Sequence, residues 1–182
     1  PNRIGSTLQD MASVQLATGA IDSAIVFLKE ARGYDLLLPE TFFLLGKAYF
    51  QKNNFPESQR YFQMALAGKE SLFGRNSAEA AIVLRSMGDL YVAQGDAMLA
   101  LTFYQQSIES LVPDFTDSQL EDNPRLRNVF SRKELLLSLR QKMKGLLLLD
   151  AQRPNNPLPL NKIALETAVL ATSLLDSIKV DY

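Results

Sequence analysis

The chain has 182 residues, 47% of them hydrophobic and 21% charged, with 19 basic against 20 acidic side chains, a composition that fits one globular domain or one short repeat array. A formal net charge of −1 without a long basic run argues against a surface built to neutralise nucleic-acid phosphates. The sequence has no His, Cys or Trp, so it can build no Ser-His-Asp or Cys-His nucleophile, no thiolate or imidazole metal site and no disulfide. What is left to an enzyme is carboxylate, Lys, Tyr or Ser chemistry, and no motif supports it. The longest uncharged stretches, such as Ala97 to Ile108, fall short of the roughly 20 apolar residues that span a bilayer, and no charged-then-apolar leader opens the chain. The expectation is a soluble, cytoplasmic protein without cofactor, metal, membrane or nucleic-acid partner. Beginning at Pro1 and ending at Tyr182 straight after an apolar run, it reads as a piece of a longer protein.

Three segments align with one another in chain order. In the first, Leu8, Met11 and Ala12 precede Gly19 and are followed by Ala24, Leu28 and Ala31. In the second, Phe42, Leu45, Gly46 and Tyr49 precede Asn53 and Phe55, then Ser58, Phe62, Ala65 and Leu66. In the third, Leu84, Met87, Gly88 and Tyr91 precede Gly95, then Ala100, Tyr104, Ser107 and Ile108. Apolar residues recur three and four apart on both sides of a turn marked by Gly19, Asn53 or Gly95, so each segment is a helical hairpin. Small residues at Ala12, Gly46 and Gly88, faced by Ala24, Ser58 and Ala100, allow close helix approach, and large neighbours fill the gaps.

After Leu111 the period fails. Val112 to Phe130 carries two prolines and several Asp, the mark of a long acidic loop. A helix resumes near Ser131, and Leu135, Leu136, Leu139, Met143, Leu146, Leu147 and Leu149 make one wide face with Arg140, Lys142 and Lys144 off it. Ala151 to Pro159 forms a turn, and Leu160 to Val180 supplies a partner helix with small residues at Ala164, Ala168 and Ala171. Four consecutive leucines, Leu146 to Leu149, cannot all face one stripe, which predicts an apolar patch toward the C-terminal end and a possible surface for self-association.

The repeated residues resemble the tetratricopeptide repeat (TPR), a bulky residue, Leu-Gly, Tyr, then Gly, Ala, an aromatic and Ala in a unit of about 34 residues. Ala12 and Gly46 are 34 apart, whereas Gly46 and Gly88 are 42 apart, and the extra stretch from Ala67 to Ala80 looks like the lengthened connection of kinesin-light-chain-type repeats. The resemblance implies an all-α fold: a right-handed superhelical array of antiparallel hairpins, a TPR-like α-solenoid of about eight helices. Residues 1–111 form three hairpins, 112–130 the loop, and 131–182 a degenerate fourth hairpin. The words QQSIESLVPDF, LRQKMKGLLLL and ALETAVLATSLLDSI are similar to the repeat region of bacterial TPR-CHAT proteins, in which such an array precedes a caspase-like protease domain. That protease needs His and Cys, which this chain lacks, so the resemblance implies a non-enzymatic sensing or regulatory array.

A repeat array presents the first helix of each hairpin along a concave groove. By alignment the groove-facing residues are Gln9 and Ser13, then Phe43, Lys47 and Phe50, then Arg85 and Asp89. Lys47 and Arg85 suit a peptide carboxylate or acidic side chain, and Phe43 with Phe50 an apolar anchor. Asn does not occur where a chaperone-type carboxylate clamp requires it. No phosphate-cradling glycine motif is present. Asp114, Asp117, Glu121 and Asp122 lack the spacing of a calcium loop; Phe115 and Leu120 are expected to tuck this segment onto the array. The expected function is a protein or peptide scaffold, and the alternative is structural self-assembly without a groove ligand.

Overall fold

The computed structural model describes residues 2–34, 38–116, 118–154 and 156–180. Among them are eight α-helices, one short 3-10 turn at Arg32–Tyr34 and no strand. The helices are α1 Asn2–Thr18, α2 Ile21–Ala31, α3 Leu38–Gln51, α4 Phe55–Phe73, α5 Ala78–Ala93, α6 Ala97–Leu111, α7 Arg132–Gln152 and α8 Leu160–Val180. They form two compact units, residues 1–72 and 73–182. The all-α, helical-repeat class expected from the periodicity is the one found.

The turns that join paired helices follow from a few residues. Gly19 and Gly95 take φ of 83°, and Asn53 takes 57°, the left-handed region that Gly and, among other residues, Asn adopt most readily. After Asn53 and Gly95 the next helix starts on a side-chain cap, as does α5, whereas α2 follows Ala20 without one. Asn54 Oδ1 accepts from Glu57 N at 3.3 Å, Asp96 Oδ1 from Leu99 N at 3.0 Å, and Ser77 Oγ from Ala80 N at 3.2 Å, satisfying donors that have no partner inside a helix.

Packing within the hairpins rests on one repeated spacing. The small residue of the first helix and the large residue of the second lie sixteen apart in Ala12 and Leu28, Gly46 and Phe62, and Gly88 and Tyr104. A Cβ added at Gly46 would stand 2.5 Å from the Phe62 ring, and one at Gly88 would stand 2.3 Å from the Tyr104 ring. Glycine is thus required where the opposing residue is aromatic, and alanine suffices opposite leucine. Ser58, fully buried, donates to the Gly46 carbonyl at 2.9 Å, so a polar atom inside the hairpin is matched to a backbone acceptor.

In the first unit Ala12, Leu16, Ala24, Leu28, Leu45, Ala48 and Tyr61 share one core. In the second, Tyr104, Leu101, Leu146, Leu149, Leu160 and Ala164 form one cluster, and Ile108, Leu111, Leu135, Leu139, Ala171 and Leu174 another. Gly145 of α7 lies against Leu101 of α6, which lets the α7–α8 pair seat on the preceding hairpin.

Candidate functional site

The sites expected from alignment fall in both units. In the first, Phe43, Lys47 and Phe50 stand at i, i+4 and i+7 on α3 and therefore share a face. The Phe43 ring lies 5.9 Å from Phe62, the Lys47 Nζ 5.7 Å from the Phe43 centroid, and Phe50 6.3 Å from Phe55. Lys47 is exposed and the two phenylalanines are half-buried, so the face combines a charge with apolar surface. Gln9 is buried and its Nε2 donates to Thr41 Oγ1 at 2.8 Å. Its amide ties α1 to α3. Ser13 is exposed on α1, its Oγ donating to the Gln9 carbonyl at 2.9 Å.

In the second unit Arg85 and Asp89, one turn apart on α5, are both engaged. Arg85 Nη1 is 2.8 Å from Glu134 Oε2 of α7, both side chains being mostly buried. That contact is an ion pair whose angle does not make a hydrogen bond for Oε2. Tyr104 donates to Asp89 Oδ1 at 2.7 Å. Burial pushes the Asp89 carboxyl above its ordinary range, opposed by the Tyr104 hydrogen bond and by the charges of Arg85 and Lys144. Burial, with the Asp89 charge beside it, pushes the Tyr104 hydroxyl up as well.

Asp89 and Tyr104 open onto a cleft of about 250 Å³ between α5 and α7, lined also by Val92, Gln141, Lys144, Gly145 and Leu148. It offers a carboxylate, an ammonium and an amide over apolar walls, the mixture that holds an extended peptide through its backbone and one side chain. Alignment missed Gln141 and Lys144 because α7 lacks the Leu-Gly-Tyr signature; the usable signal was their place on the first helix of a further hairpin.

A second group missed by alignment centres on Lys142. Its expected position off the apolar face is overturned: it is fully buried. Its Nζ donates to the Asp122 carbonyl and, at 3.3 Å, to Asn123 Oδ1, which also accepts from Thr167 Oγ1 at 3.1 Å. Burial lowers the ammonium to about 8, with Asp122 and Glu121 pulling it back up. The signal lay in the spacing: Leu135, Leu139, Lys142, Leu146 and Leu149 alternate four and three and are all buried. The segment after α6 covers this lysine. Phe115 and Leu120 pack on the second unit's cores, and Gln105 Nε2 donates to Ser118 Oγ at 2.7 Å and to the Gln119 carbonyl at 3.0 Å. Two of the segment's carboxylates are used locally: Asp122 Oδ2 accepts from Gln119 N, and Asp114 Oδ2 from Asn128 Nδ2. Asp117 lies outside the described residues. Among those described, no three metal-ligating side chains cluster. On the last hairpin Leu147 is 47% exposed, Leu165 65% and Val169 59%.

Residues 38–111, which run from α3 to the end of α6, match the family model described as tetratricopeptide repeat. The crystal structure of BtubC (BKLC) from P. vanneervenii is similar over 96% of this chain with a TM-score of 0.73 at 15% identity. At that identity the likeness is one of fold. This chain spans 64% of the length of that one. No curated protein matches the sequence at a significant level. Tetratricopeptide repeats typically mediate protein interaction or scaffolding and are not typically catalytic. Among the described residues no helix is long and apolar enough to cross a membrane.

Proposed function

We propose that this chain is a cytoplasmic protein-interaction scaffold that grips an extended peptide segment on the first-helix faces of its hairpins. The proposal takes residues 1–111 as three repeats, 112–130 as their loop and 131–182 as a fourth hairpin. The observation that carries it is the cleft between α5 and α7, where Asp89, Gln141 and Lys144 meet above Val92 and Leu148. In the first unit Phe43, Lys47 and Phe50 supply a face of matching chemistry. Asp89 and the Gln141 amide take up peptide N–H and C=O groups, Lys47 and Lys144 favour acidic side chains, and the phenylalanines accept an apolar residue. Arg85, already neutralised by Glu134, holds α5 to α7 and shapes the cleft. In keeping with the resemblance of the sequence to TPR-CHAT arrays, the scaffold acts as the regulatory arm of a larger protein.

The test is a capture experiment from host lysate with the 182-residue chain and a Lys47→Glu, Lys144→Glu double variant, after circular dichroism has shown equal helicity. A specific protein retained by the first and lost by the second supports the reading. Equal catches refute it. The exposed Leu147, Leu165 and Val169 favour a second reading, self-assembly through the last hairpin; on that reading Leu147→Glu lowers the mass measured by light scattering and the double variant does not.

A further inference from the structure

The segment between α6 and α7 leaves and returns to one place, the Phe130 N–H donating to the Leu111 carbonyl at 3.0 Å. Its first and last parts enclose a pocket of about 340 Å³ lined by Val112, Asp114, Phe115, Asn123, Arg125 and Arg127. That volume sits at the small end of ligand sites and suits a single terminal residue with the peptide bond before it. The sequence reads this segment as acidic, and two of its carboxylates, with one from α6, are engaged in hydrogen bonds. Asp122 and Asp114 are hydrogen-bonded within the segment, and Glu109 of α6 accepts from the Ser118 N–H and hydroxyl. Arg125 and Arg127 have no ion-pair partner among the described residues, and both border the pocket. A tight turn, Arg127 N–H to the Arg125 carbonyl at 2.8 Å, keeps them adjacent.

The third donor is Asn123. Its Oδ1 is taken by the buried Lys142 and by Thr167, which leaves the Nδ2 amide as the group available to a ligand and fixes its orientation from behind. The floor is apolar, made of the buried Val112 and half-buried Phe115. Two guanidinium groups repel a metal cation, and the Asp114 carboxylate in the same wall disfavours a phosphate dianion. Asp114 Oδ2 accepts from Asn128 Nδ2 at 3.2 Å, and a carboxylate keeps further lone pairs with which to accept an N–H. A forked cation pair, an amide donor, an acceptor and an apolar floor together match one chemistry: a peptide's C-terminal carboxylate, with its last N–H and an apolar final side chain.

We propose that this pocket binds the free C-terminal end of a peptide, Arg125 and Arg127 holding the carboxylate with the Asn123 amide, Asp114 the last backbone N–H, and Phe115 with Val112 the side chain. It shares no residue with the α5–α7 cleft and does not depend on that cleft binding anything.

The experiment is fluorescence polarisation with the 182-residue chain and a fluorescein-labelled peptide Gly-Ser-Gly-Leu-Phe bearing a free carboxylate, run beside the same peptide amidated. Saturable binding of the acid is expected, weakened at least about tenfold by amidation, since a charge-assisted pair contributes on the order of one power of ten or more. Arg125→Gln with Arg127→Gln is expected to weaken it as much. Both arginines are exposed, and an unchanged thermal melt verifies the fold of this variant. The Lys162→Gln variant, changed at an exposed lysine of α8 outside both sites, is expected to bind the peptide as the parent does. Absence of saturable binding, equal affinity for the amide, or indifference to the arginine substitutions overturns the proposal. Displacement by inorganic phosphate beyond that caused by sodium chloride of equal ionic strength also overturns it, making the pocket a phosphate site.

Discussion

Gly46→Ala is expected to destabilise the protein although alanine is the better helix former. Exchanging a mid-helix glycine for alanine ordinarily gains about 0.5 to 1 kcal/mol. Here the new Cβ would lie 2.5, 2.6 and 3.0 Å from three atoms of the Phe62 ring, where ordinary carbon contact is about 3.5 to 4.0 Å. The ring has little room to retreat: Phe62 is almost wholly buried, and its centroid lies 5.9 Å from that of Phe43. Overpacking of this severity belongs at the upper end of the usual cost, about 3 kcal/mol, so the net loss is about 2 kcal/mol once the propensity gain near 1 kcal/mol is subtracted. Gly5→Ala is the control, because its Cβ would meet Tyr34 at an ordinary 3.5 Å and it should stabilise by about 0.5 to 1 kcal/mol. The first hairpin shows the remedy, alanine at 12 opposite leucine at 28. Gly46→Ala with Phe62→Leu should therefore lose less than the two single changes summed. Urea denaturation followed by circular dichroism measures all four. A Gly46→Ala protein as stable as the parent, or strict additivity in the cycle, would refute the close-approach reasoning.

Two further outcomes follow from charges placed between helices. Lys142 titrates near 8 in the folded chain against about 10.4 in an unfolded one, so between these values the unfolded state binds the extra proton and stability rises with pH. Parent minus Lys142→Met stability should therefore increase from pH 8 to pH 10 in urea titrations; a flat difference would mean the ammonium is not desolvated. Arg85→Gln strands the Glu134 carboxylate in a mostly buried site and should cost roughly 2 to 3 kcal/mol, whereas Lys52→Gln, from a solvated pair with Asp22, should leave the denaturation midpoint where it was.

The hairpins were legible in the sequence because their determinants are local and periodic. Gly19, Asn53 and Gly95 mark turns that the backbone takes with positive φ, and the small-to-large spacing of sixteen recurs three times. The sites were legible only as positions on helices. Alignment put Arg85 and Asp89 on the first helix of the third hairpin, but their partners come from Glu134, 49 residues away, and Tyr104, 15 away, and no period links those. Gln9 reads as groove-facing by alignment of the repeats, yet Thr41 supplies a hydroxyl that makes its burial tolerable. Lys142 failed for a related reason. A lysine on a leucine-rich helix reads as solvated until an aperiodic segment returns over it and offers the Asp122 carbonyl.

Comparison of the second and third repeats isolates what one atom changes. Gly46 faces Phe62 and Gly88 faces Tyr104 at the same spacing, each ring seated against the glycine, so the added hydroxyl is not needed for packing. It donates instead to Asp89 in the cleft wall at 2.7 Å. Tyr104→Phe should accordingly keep the helices together while depriving a buried carboxylate of a donor. The hydrogen bond is one of the effects holding Asp89 down against burial, so its removal raises that carboxyl further. In the folded state a raised carboxyl retains its proton where the unfolded one has lost it, and stability then falls as pH rises through that window. The penalty of Tyr104→Phe should therefore be small in acid, where Asp89 is protonated in both proteins, and grow to about 1.5 to 3 kcal/mol at neutral pH. Carboxyl-carbon NMR titration of Asp89 provides the independent check. An unmoved titration with a pH-independent stability loss would show that the hydroxyl fills space and does not tune the carboxylate.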